Sequence, residues 1–397
     1  MSDRSYLYKT DKGSMKIFLG IIGIITGIGL SGCTNNSLFS STGGSDSWPL
    51  FRGDASLSGY TSTRLPSDPV LLWSFKSDTR TVSSPVVNES VAYWSDRRGK
   101  IRGVDAAGEL VFEYDLKTAV EATPMIHNEV LYIGRIDGFM TALSLTQKDT
   151  LWTFETWGQI SASPNITQFE NREAVVFGSY DNLLYCVDTQ TGEEISSFES
   201  GYYLNGAAAL WNSHVIFGGC DAWLRIINTQ TGLPTDSLQL EAYVPASPAI
   251  RDNYCYVGDY SGNIYELKLE KGKIDQHTKI RQADNGDGSF VSVPALSADV
   301  VYVLSDERYL YAINRKDGSL RWKYMLKGNV GESSPVICHD QVIVCTKTGI
   351  VSILDTKKGE LIWEYDTGEP IVGSPAIIRD HFYILTTRGT LFCFGNK

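Results

Sequence analysis

Residues 333–337 read Ser-Ser-Pro-Val-Ile, and this pattern or a close variant occurs eight times in the 397-residue chain. The copies are SSPVV (83–87), EATPMI (121–126), SASPNI (161–166), NGAAAL (205–210), PASPAI (245–250), SVPAL (292–296), SSPVI (333–337) and GSPAI (373–377). The central position recurs at intervals of 39, 40, 44, 40, 46, 41 and 40 residues. A period near 40 residues is typical of repeat architectures.

Each copy continues with four short runs of β-branched and aromatic residues, separated by Gly, Asn or Asp turns. Residues 130–134 (VLYIG), 183–188 (LLYCVD) and 321–324 (RWKY) are examples of the second, third and fourth runs. Such runs are typical of strands, and no window has the apolar spacing of an amphipathic helix. Four strands in about 40 residues make one propeller blade, and stacking blades around an axis buries both faces of each.

The two ends of the chain predict how the ring closes. The last copy stops after its third strand, at residues 390–394, while a lone fourth-strand copy, residues 71–75, precedes the first Ser-Pro. Pairing the two would remove two open sheet edges. We therefore predict an all-β, eight-bladed β-propeller of four-stranded antiparallel blades, closed by an N-terminal strand that completes the last blade.

The first 33 residues have the features of an export signal. Residues 17–30 are apolar and uncharged, Lys12 and Lys16 precede them, and Leu30-Ser31-Gly32-Cys33 resembles the bacterial lipobox. An apolar run of this length suits a signal peptide and is short for a membrane span. We expect a lipoprotein signal peptide over residues 1–32, diacylation of Cys33, and translation from Met1 or Met15; a chance cysteine after an ordinary signal peptide is the alternative.

The remaining chain divides into a tether and the propeller. Residues 33–47 are polar and rich in Gly and Ser, which predicts a flexible tether, and the propeller spans 48–397. The residues directly after Cys33 are Thr34 and Asn35, with no acidic retention signal, so we expect lipid anchoring in the outer membrane of the cell envelope. The protein is expected to face the periplasm. The net charge of −11 disfavours nucleic acid as a partner, and a monomer is expected.

The chain contains several side-chain patterns that resemble metal-binding, redox or catalytic motifs. The six cysteines after Cys33 form no Cys-x-x-Cys, and all but Cys338 lie within or at the end of predicted strands. We expect small buried hydrophobic side chains, with a disulfide between blades as the alternative. Asp137, Asp181 and Asp221 recur at one blade position, which favours turn chemistry over a metal site. Residues 284–288 (DNGDG) resemble part of a calcium loop without its final glutamate. The five histidines lie far apart. We predict no catalytic, cofactor-binding or metal-binding residues, and no cofactor.

The mouth of the central pore is where side chains of different repeats converge. The residues that lead into the repeats and are candidates for this position are Glu121, Tyr202, Tyr203, Asn205, Tyr243, Glu332 and Glu369. They could grip a peptide or a sugar, or form a solvated rim. Because exposed tyrosines are good interface anchors, we predict that Tyr202, Tyr203 and Tyr243 bind a partner.

Several motifs resemble the pyrroloquinoline-quinone (PQQ) repeat family of β-propellers over the whole chain after the signal. Residues 48–54 (WPLFRGD) resemble its opening segment, and blade ends resemble its tryptophan-docking pattern. The residues that fit the docking pattern are Ala142 and Trp152; Ala312, Asn314, Gly318 and Trp322; and Asp355, Gly359 and Trp363, while Asp188, Thr191 and Gly192 fit without the Trp. This resemblance implies blade packing and says nothing of cofactors.

Two branches of that family lead to different functional expectations. The quinoprotein dehydrogenases carry an adjacent Cys-Cys pair and a calcium-binding set, and this chain has no Cys-Cys. The BamB-like lipoproteins of the outer-membrane β-barrel assembly machinery are lipidated and non-catalytic, and the lipobox, tether and propeller resemble them. The resemblance implies a docking scaffold without enzymatic activity, whose partners are envelope proteins such as β-barrel assembly subunits. A PQQ-dependent dehydrogenase and a glycan-binding lipoprotein are the alternatives.

Overall fold

The eight repeats form eight four-stranded antiparallel blades in the computed structural model, which describes residues 46–282 and 288–397. The predicted signal peptide, Cys33 and nearly all of the predicted tether lie outside the described residues. In the first four blades the strands, from inside to outside, are β3 (Val86–Asn88), β4 (Val91–Ser95), β5 (Lys100–Val104) and β6 (Leu110–Asp115); β7 (Met125–His127), β8 (Val130–Gly134), β9 (Phe139–Ser144) and β10 (Asp149–Glu155); β11 (Asn165–Phe169), β12 (Arg172–Gly178), β13 (Leu183–Asp188) and β14 (Glu194–Glu199); β15 (Ala209–Trp211), β16 (His214–Gly218), β17 (Trp223–Asn228) and β18 (Leu233–Gln239).

The other four blades are built in the same way. Their strands are β19 (Ala249–Arg251), β20 (Tyr254–Gly258), β21 (Asn263–Glu270) and β22 (Lys273–Gln282); β23 (Ala295–Leu296), β24 (Val300–Ser305), β25 (Tyr309–Asn314) and β26 (Leu320–Met325); β27 (Val336–Cys338), β28 (Gln341–Cys345), β29 (Ile350–Asp355) and β30 (Leu361–Asp366); β31 (Ala376–Ile378), β32 (His381–Leu385), β33 (Thr390–Gly395) and β2 (Val70–Lys76). A short strand, β1 (Tyr60–Thr61), pairs in parallel with β27.

The predicted closure is confirmed. Strand β2 pairs antiparallel with β33 from Val70–Gly395 to Lys76–Thr390, so the N-terminal strand is the outer strand of blade 8. First strands of neighbouring blades contact each other, which places them around the central axis. Apolar side chains of adjacent blades pack together between the sheets, as Val86 and Ile101 of blade 1 do with Leu131 of blade 2.

The Ser-Pro repeat has a structural reason that the pattern alone did not show. At five of the eight repeats, the hydroxyl of the residue before the Pro accepts a hydrogen bond from the backbone N–H of the same position in the preceding blade. The observed bonds run from Ser84 to Thr123, Ala207 to Ser247, Val293 to Ser334, Ser334 to Ser374, and Ser374 to Ser84, at 2.8–3.0 Å. The last of these closes the ring between blades 8 and 1, so the motif joins neighbouring blades.

Tryptophans of the fourth strands join blades at the periphery, as predicted. The indole Nε1 of Trp152 donates to the backbone oxygen of Thr189 at 2.9 Å, and that of Trp322 donates to Thr356 at 3.0 Å. Gly359 has a φ of +72°, and a Cβ there would lie 2.6 Å from the Trp322 ring. Glycine is therefore needed in this turn both for its backbone conformation and for the close approach of the indole.

The segment 48–61 fills the centre of the ring, which the sequence did not lead us to expect. Its backbone oxygens accept hydrogen bonds from the first strands of six blades. In each of these blades the donor is the backbone N–H of the residue two places after the central Pro or Ala of the repeat motif. These bonds run from Val87 to Trp48, Ile126 to Pro49, Leu210 to Ala55, Ile250 to Ser56, Leu296 to Ser58 and Ile337 to Gly59, at 2.7–2.9 Å. We call residues 48–61 the plug.

The plug enters and leaves on one face of the propeller. Asp46 pairs with Arg379 in the turn between β31 and β32, and Arg64 pairs with Asp340 in the turn between β27 and β28. Both turns connect a first strand to a second strand. We call this side the entry face; the opposite side carries the turns between second and third strands and the connections between blades. Over the described residues, no helix has the length and hydropathy needed to cross a membrane.

Candidate interaction face

A ring of eight main-chain hydrogen bonds organises the face opposite the entry face. In every blade, an N–H in the turn between the second and third strands donates to the connection that enters the blade; the donor is the second residue after the second strand, or the first in blade 6. The donor–acceptor pairs are Arg97–Arg80, Ile136–Ala119, Tyr180–Gln159, Cys220–Tyr203, Tyr260–Tyr243, Asp306–Ser289, Lys347–Asn329 and Thr387–Pro370, at 2.7–3.1 Å. Because these main-chain atoms are satisfied in the same way in all blades, the side chains are free to differ.

Aromatic side chains occupy this face at blades 3, 4 and 5. Tyr180 stacks on Tyr203 with ring centres 5.0 Å apart and planes 10° from parallel, and Tyr202 contacts Tyr203 at 4.4 Å. Tyr243 and Tyr260 meet through their backbone hydrogen bond in blade 5. Trp157, in the connection that enters blade 3, is 96% exposed, and Tyr243 is 57% exposed. We call these six residues the aromatic arc.

The three tyrosines predicted from the sequence all belong to the aromatic arc. Sequence analysis missed Trp157, Tyr180 and Tyr260. Tyr180 and Tyr260 hold the same turn position in blades 3 and 5, so an alignment of the repeats could have found them. Large exposed aromatic surface is uncommon on a soluble domain and is typical of a binding surface.

The other residues predicted at the pore mouth have different surroundings. Glu121 pairs with Arg97, Asn205 Nδ2 lies 3.4 Å from Cys220 Sγ, and Glu332 is exposed. None of the three belongs to the aromatic arc.

Glu369 has a structural role in the closure of the ring. Its carboxylate accepts hydrogen bonds from Lys76 Nζ at 2.8 Å and from the hydroxyls of Thr386 and Thr390 at 2.5 and 2.7 Å. Partial burial acts to raise the pKa of Glu369, but these hydrogen bonds outweigh it and hold the pKa below its ordinary value. Since Lys76 ends β2 and Thr390 begins β33, Glu369 joins the two strands that close blade 8.

Two of the three recurring aspartates, Asp181 and Asp221, accept hydrogen bonds from turn amides, as predicted, whereas Asp137 pairs with the side chain of Arg135. Asp221 accepts a hydrogen bond from Trp223 N at 3.1 Å within its own turn, and from Gly201 N at 2.7 Å in the connection from blade 3. Asp181 accepts from Leu183 N and Trp157 N in the same manner. Over residues 46–282 and 288–397, no group of three or more potential metal ligands is present. The calcium-loop resemblance at 284–288 lies almost wholly outside the described residues.

The cysteines of the propeller are free thiols. Cys186, Cys255, Cys338, Cys345 and Cys393 are buried, and only Cys220 is partly exposed among the six described. Cys338 was expected to lie outside the strands but ends β27. Cys220 was expected within or at the end of a strand but lies in the turn after β16. Burial raises the pKa of the Cys186 thiol to about 12, with a smaller effect of Glu194.

Eight four-stranded blades, hydroxyl links before proline and tryptophan docking define a β-propeller of the PQQ-repeat class. A sequence profile described as "Outer membrane protein assembly factor BamB" matches residues 68–212 and 288–395. These two stretches make up more than half of the chain, and the chain belongs to this family.

Individual relatives are distant. The outer membrane protein assembly factor BamB of Legionella pneumophila (strain Paris) is 25% identical over 146 residues, which is 37% of this chain. That match spans only 36% of the relative's length. The crystal structure of BamB from Moraxella catarrhalis has a TM-score of 0.70 at 19% identity, covering 83% of this chain and 98% of that one.

The fold is also shared with enzymes. Quinohemoprotein alcohol dehydrogenase from Comamonas testosteroni has a TM-score of 0.73 at 12% identity, covering 91% of this chain and 82% of that one. At such identities the likeness of either structure shows the fold alone.

Proposed function

We propose that this protein is a non-enzymatic, lipid-anchored docking scaffold of the bacterial cell envelope, which acts in the assembly of outer-membrane β-barrel proteins. Family membership supports the envelope assembly role. The observation that carries the docking role is the aromatic arc, because its main chain is already satisfied and its rings face solvent. Tyrosine and tryptophan supply a large apolar contact with a polar edge, which suits a protein partner.

The arc suits a protein partner because its residues lie on one face of three consecutive blades. Tyr180, Tyr202 and Tyr203 form one stacked group, and the backbone pair of Tyr243 and Tyr260 lies in a blade beside it. Stacked rings lose little side-chain freedom on binding, since each ring already restrains its neighbour. A partner covering three blades would bury several such anchors together.

The docking role is tested with a triple variant, Tyr202→Ala/Tyr203→Ala/Tyr243→Ala. Since these side chains are 49%, 39% and 57% exposed, the melting temperature should stay close to wild type. Crosslinking and mass spectrometry of envelope partners should show strongly reduced recovery. The matched control is Leu110→Ala/Val111→Ala/Leu151→Ala on the outer strands of blades 1 and 2, which are similarly exposed. Undiminished recovery with the tyrosine variant, or equal loss with the control, would contradict the proposal.

Lipid anchoring at Cys33 is a separate part of the proposal. It is supported by the lipobox resemblance of residues 30–33. Cys33→Ser should yield an uncleaved or soluble protein, measured by partition between the phases of a non-ionic detergent. If the variant enters the detergent phase like wild type and is cleaved at the same place, Cys33 is not the anchor.

The absence of enzymatic activity is tested by a titration with PQQ and calcium. We expect no stoichiometric uptake, no quinone absorbance and no dye reduction with alcohols. Tight uptake with dye reduction would favour a quinoprotein dehydrogenase. A glycan array tests the other alternative, a glycan-binding lipoprotein. Specific binding to a glycan would favour that function over the docking scaffold.

A further inference from the structure

A second distinctive region of the same face lies between blades 8 and 1. A cavity of about 340 Å³ opens there, and its lining includes the arginines Arg80, Arg97 and Arg388. Val82 and Pro370 provide apolar wall. Three arginines in the lining of one cavity stand out in a chain whose net charge is −11. We call this cavity the arginine pocket.

Two of the three arginine side chains are without a partner among the described residues. Within the part of the chain that the structure describes, the side chains of Arg80 and Arg388 form no hydrogen bond or ion pair, and both residues are exposed. Arg97 pairs with Glu121 at the edge of the cavity.

The acids that border the lining residues in sequence are already engaged elsewhere. Asp78 and Asp96 both pair with Arg102, at 3.1 and 2.5 Å. Glu369, next to Pro370, pairs with Lys76 at 2.8 Å. The pocket therefore presents uncompensated positive charge.

We infer that the arginine pocket binds a carboxylate of an acidic peptide segment belonging to a partner protein. The planar guanidinium matches a carboxylate in a two-point hydrogen-bonded pair, and a partly enclosed cavity strengthens such a pair over one in open solvent. Arg80 and Arg388 supply the free donors, and Arg97 can exchange Glu121 for the incoming acid.

A peptide is favoured over a lipid headgroup by position. The pocket shares its face with the aromatic arc, whereas the chain enters the propeller at Asp46 on the entry face. The choice of a protein as the source of the carboxylate rests on the proposed docking function. The expectation that the pocket binds a carboxylate rests only on its arginines.

The test uses the full chain in non-ionic detergent and a fluorescent hexaglutamate peptide, followed by anisotropy at low salt. The pocket variant is Arg80→Gln/Arg388→Gln. The matched control is Arg64→Gln/Arg379→Gln, which removes the same charge from the entry face. Wild type and control should bind alike, and the pocket variant should bind at least tenfold more weakly. Hexaglutamine should not bind, and added salt should weaken binding.

Three results would overturn the inference. The first is no saturable binding of hexaglutamate to wild type, and the second is equal weakening in the pocket and control variants. The third is displacement of the peptide by inorganic phosphate, or arginine-dependent binding of phosphatidylglycerol vesicles, at concentrations where acetate and glutarate have no effect. That result would assign the pocket to phosphate instead of carboxylate.

The Tyr202→Ala/Tyr203→Ala/Tyr243→Ala protein separates this inference from the proposed function. It should bind hexaglutamate as wild type does, because the arc and the pocket use different blades. If hexaglutamate fails to bind while the tyrosine variant still loses its partners, the docking proposal stands and the arginine pocket is rejected. If wild type binds hexaglutamate but the tyrosine variant retains its partners, the docking proposal is rejected. The carboxylate-binding chemistry of the arginine pocket then still stands.

Discussion

At the scale of single residues, Arg52 shows how the plug is held in the ring. Its guanidinium is 1% exposed and donates to the backbone oxygens of Pro335 and Pro294, at 2.5 and 3.0 Å. Burial lowers the pKa of Arg52 to about 9, and Asp54 acts in the opposite direction, so the group stays charged at neutral pH. A buried charge is costly unless its hydrogen bonds are made, which ties the position of Arg52 to two specific blades.

Replacing Arg52 should therefore be strongly destabilising. Arg52→Ala leaves two carbonyls without their donors and a cavity in the centre, which should lower the free energy of unfolding by about 3 kcal/mol. Urea denaturation measures the change. Arg64→Ala is the control, because its side chain is 63% exposed and surface ion pairs contribute little. Similar midpoints for the two variants would show that Arg52 does not hold the plug.

The hydroxyl links offer a second prediction at this scale. Ser374 accepts the Ser334 N–H at 3.0 Å, so Ser374→Ala leaves a buried donor unsatisfied. We expect a loss of about 1–2 kcal/mol in the free energy of unfolding. Ser67→Ala, at an exposed position, is the control and should change little. If both variants unfold at the same urea concentration as wild type, the links do not stabilise the ring.

At the scale of elements, β2 carries the closure. It forms the outer edge of blade 8, and Trp73 on it donates to the backbone oxygen of Ala106 in blade 1 at 2.8 Å. Deleting residues 70–76 would open the edge of β33 and remove this link between blades. We expect no cooperative unfolding transition and aggregation on expression. A deletion protein that melts like wild type would mean that the ring closes without β2.

The plug makes an element-scale prediction for hydrogen exchange. The amides of Ile126, Leu210 and Ile250 are bonded directly to the plug. The equivalent amide of Ile166 is bonded to the side chain of its own neighbour Asn165, and only that side chain reaches the plug, through Nδ2 to Ala55 O at 2.9 Å. Exchange at the first three should require release of the plug, and exchange at Ile166 should be faster. Mass-spectrometric exchange resolved to single residues measures this. Equal protection at all four amides would contradict a separate role for the plug.

At the scale of the whole molecule, sequence patterns predicted the structural features that recur from blade to blade. They missed the features that occur once and depend on residues far apart in the chain. The features that could be predicted either recur in the blades or complete a recurring unit, so that comparing the repeats within one sequence reveals them. They are the blade number, closure by β2, tryptophan docking and the aspartate turns. The plug could not be predicted, because 48–61 lacks strand periodicity and bonds to six different repeats. The arginine pocket could not be predicted either, because Arg80 and Arg388 lie near opposite ends of the chain and meet only when the ring closes.

A closed ring should also open as one unit, and its thiols can report this. Cys186, Cys255, Cys338 and Cys393 are buried in blades 3, 5, 7 and 8. A linear repeat array frays from its ends, but a ring joined by hydroxyl links, β2 and the plug has no free end. These four thiols should therefore react with a thiol reagent at one common, slow rate set by global unfolding.

Cys220 should behave differently from the buried thiols. It is partly exposed, and burial followed by the charge of Asp221 raises the pKa of its thiol. Because Cys220 is partly exposed, it should be labelled in the native state. Only the thiolate reacts, and the pKa of this thiol is raised, so the labelling rate should still increase with pH above the range in which an ordinary thiol titrates. Labelling in a Cys33→Ser/Cys345→Ser background, with Cys220→Ser as the control, isolates the four reporters. Distinct rates for blades 3, 5, 7 and 8 would show that blades open separately and that closure does not couple them.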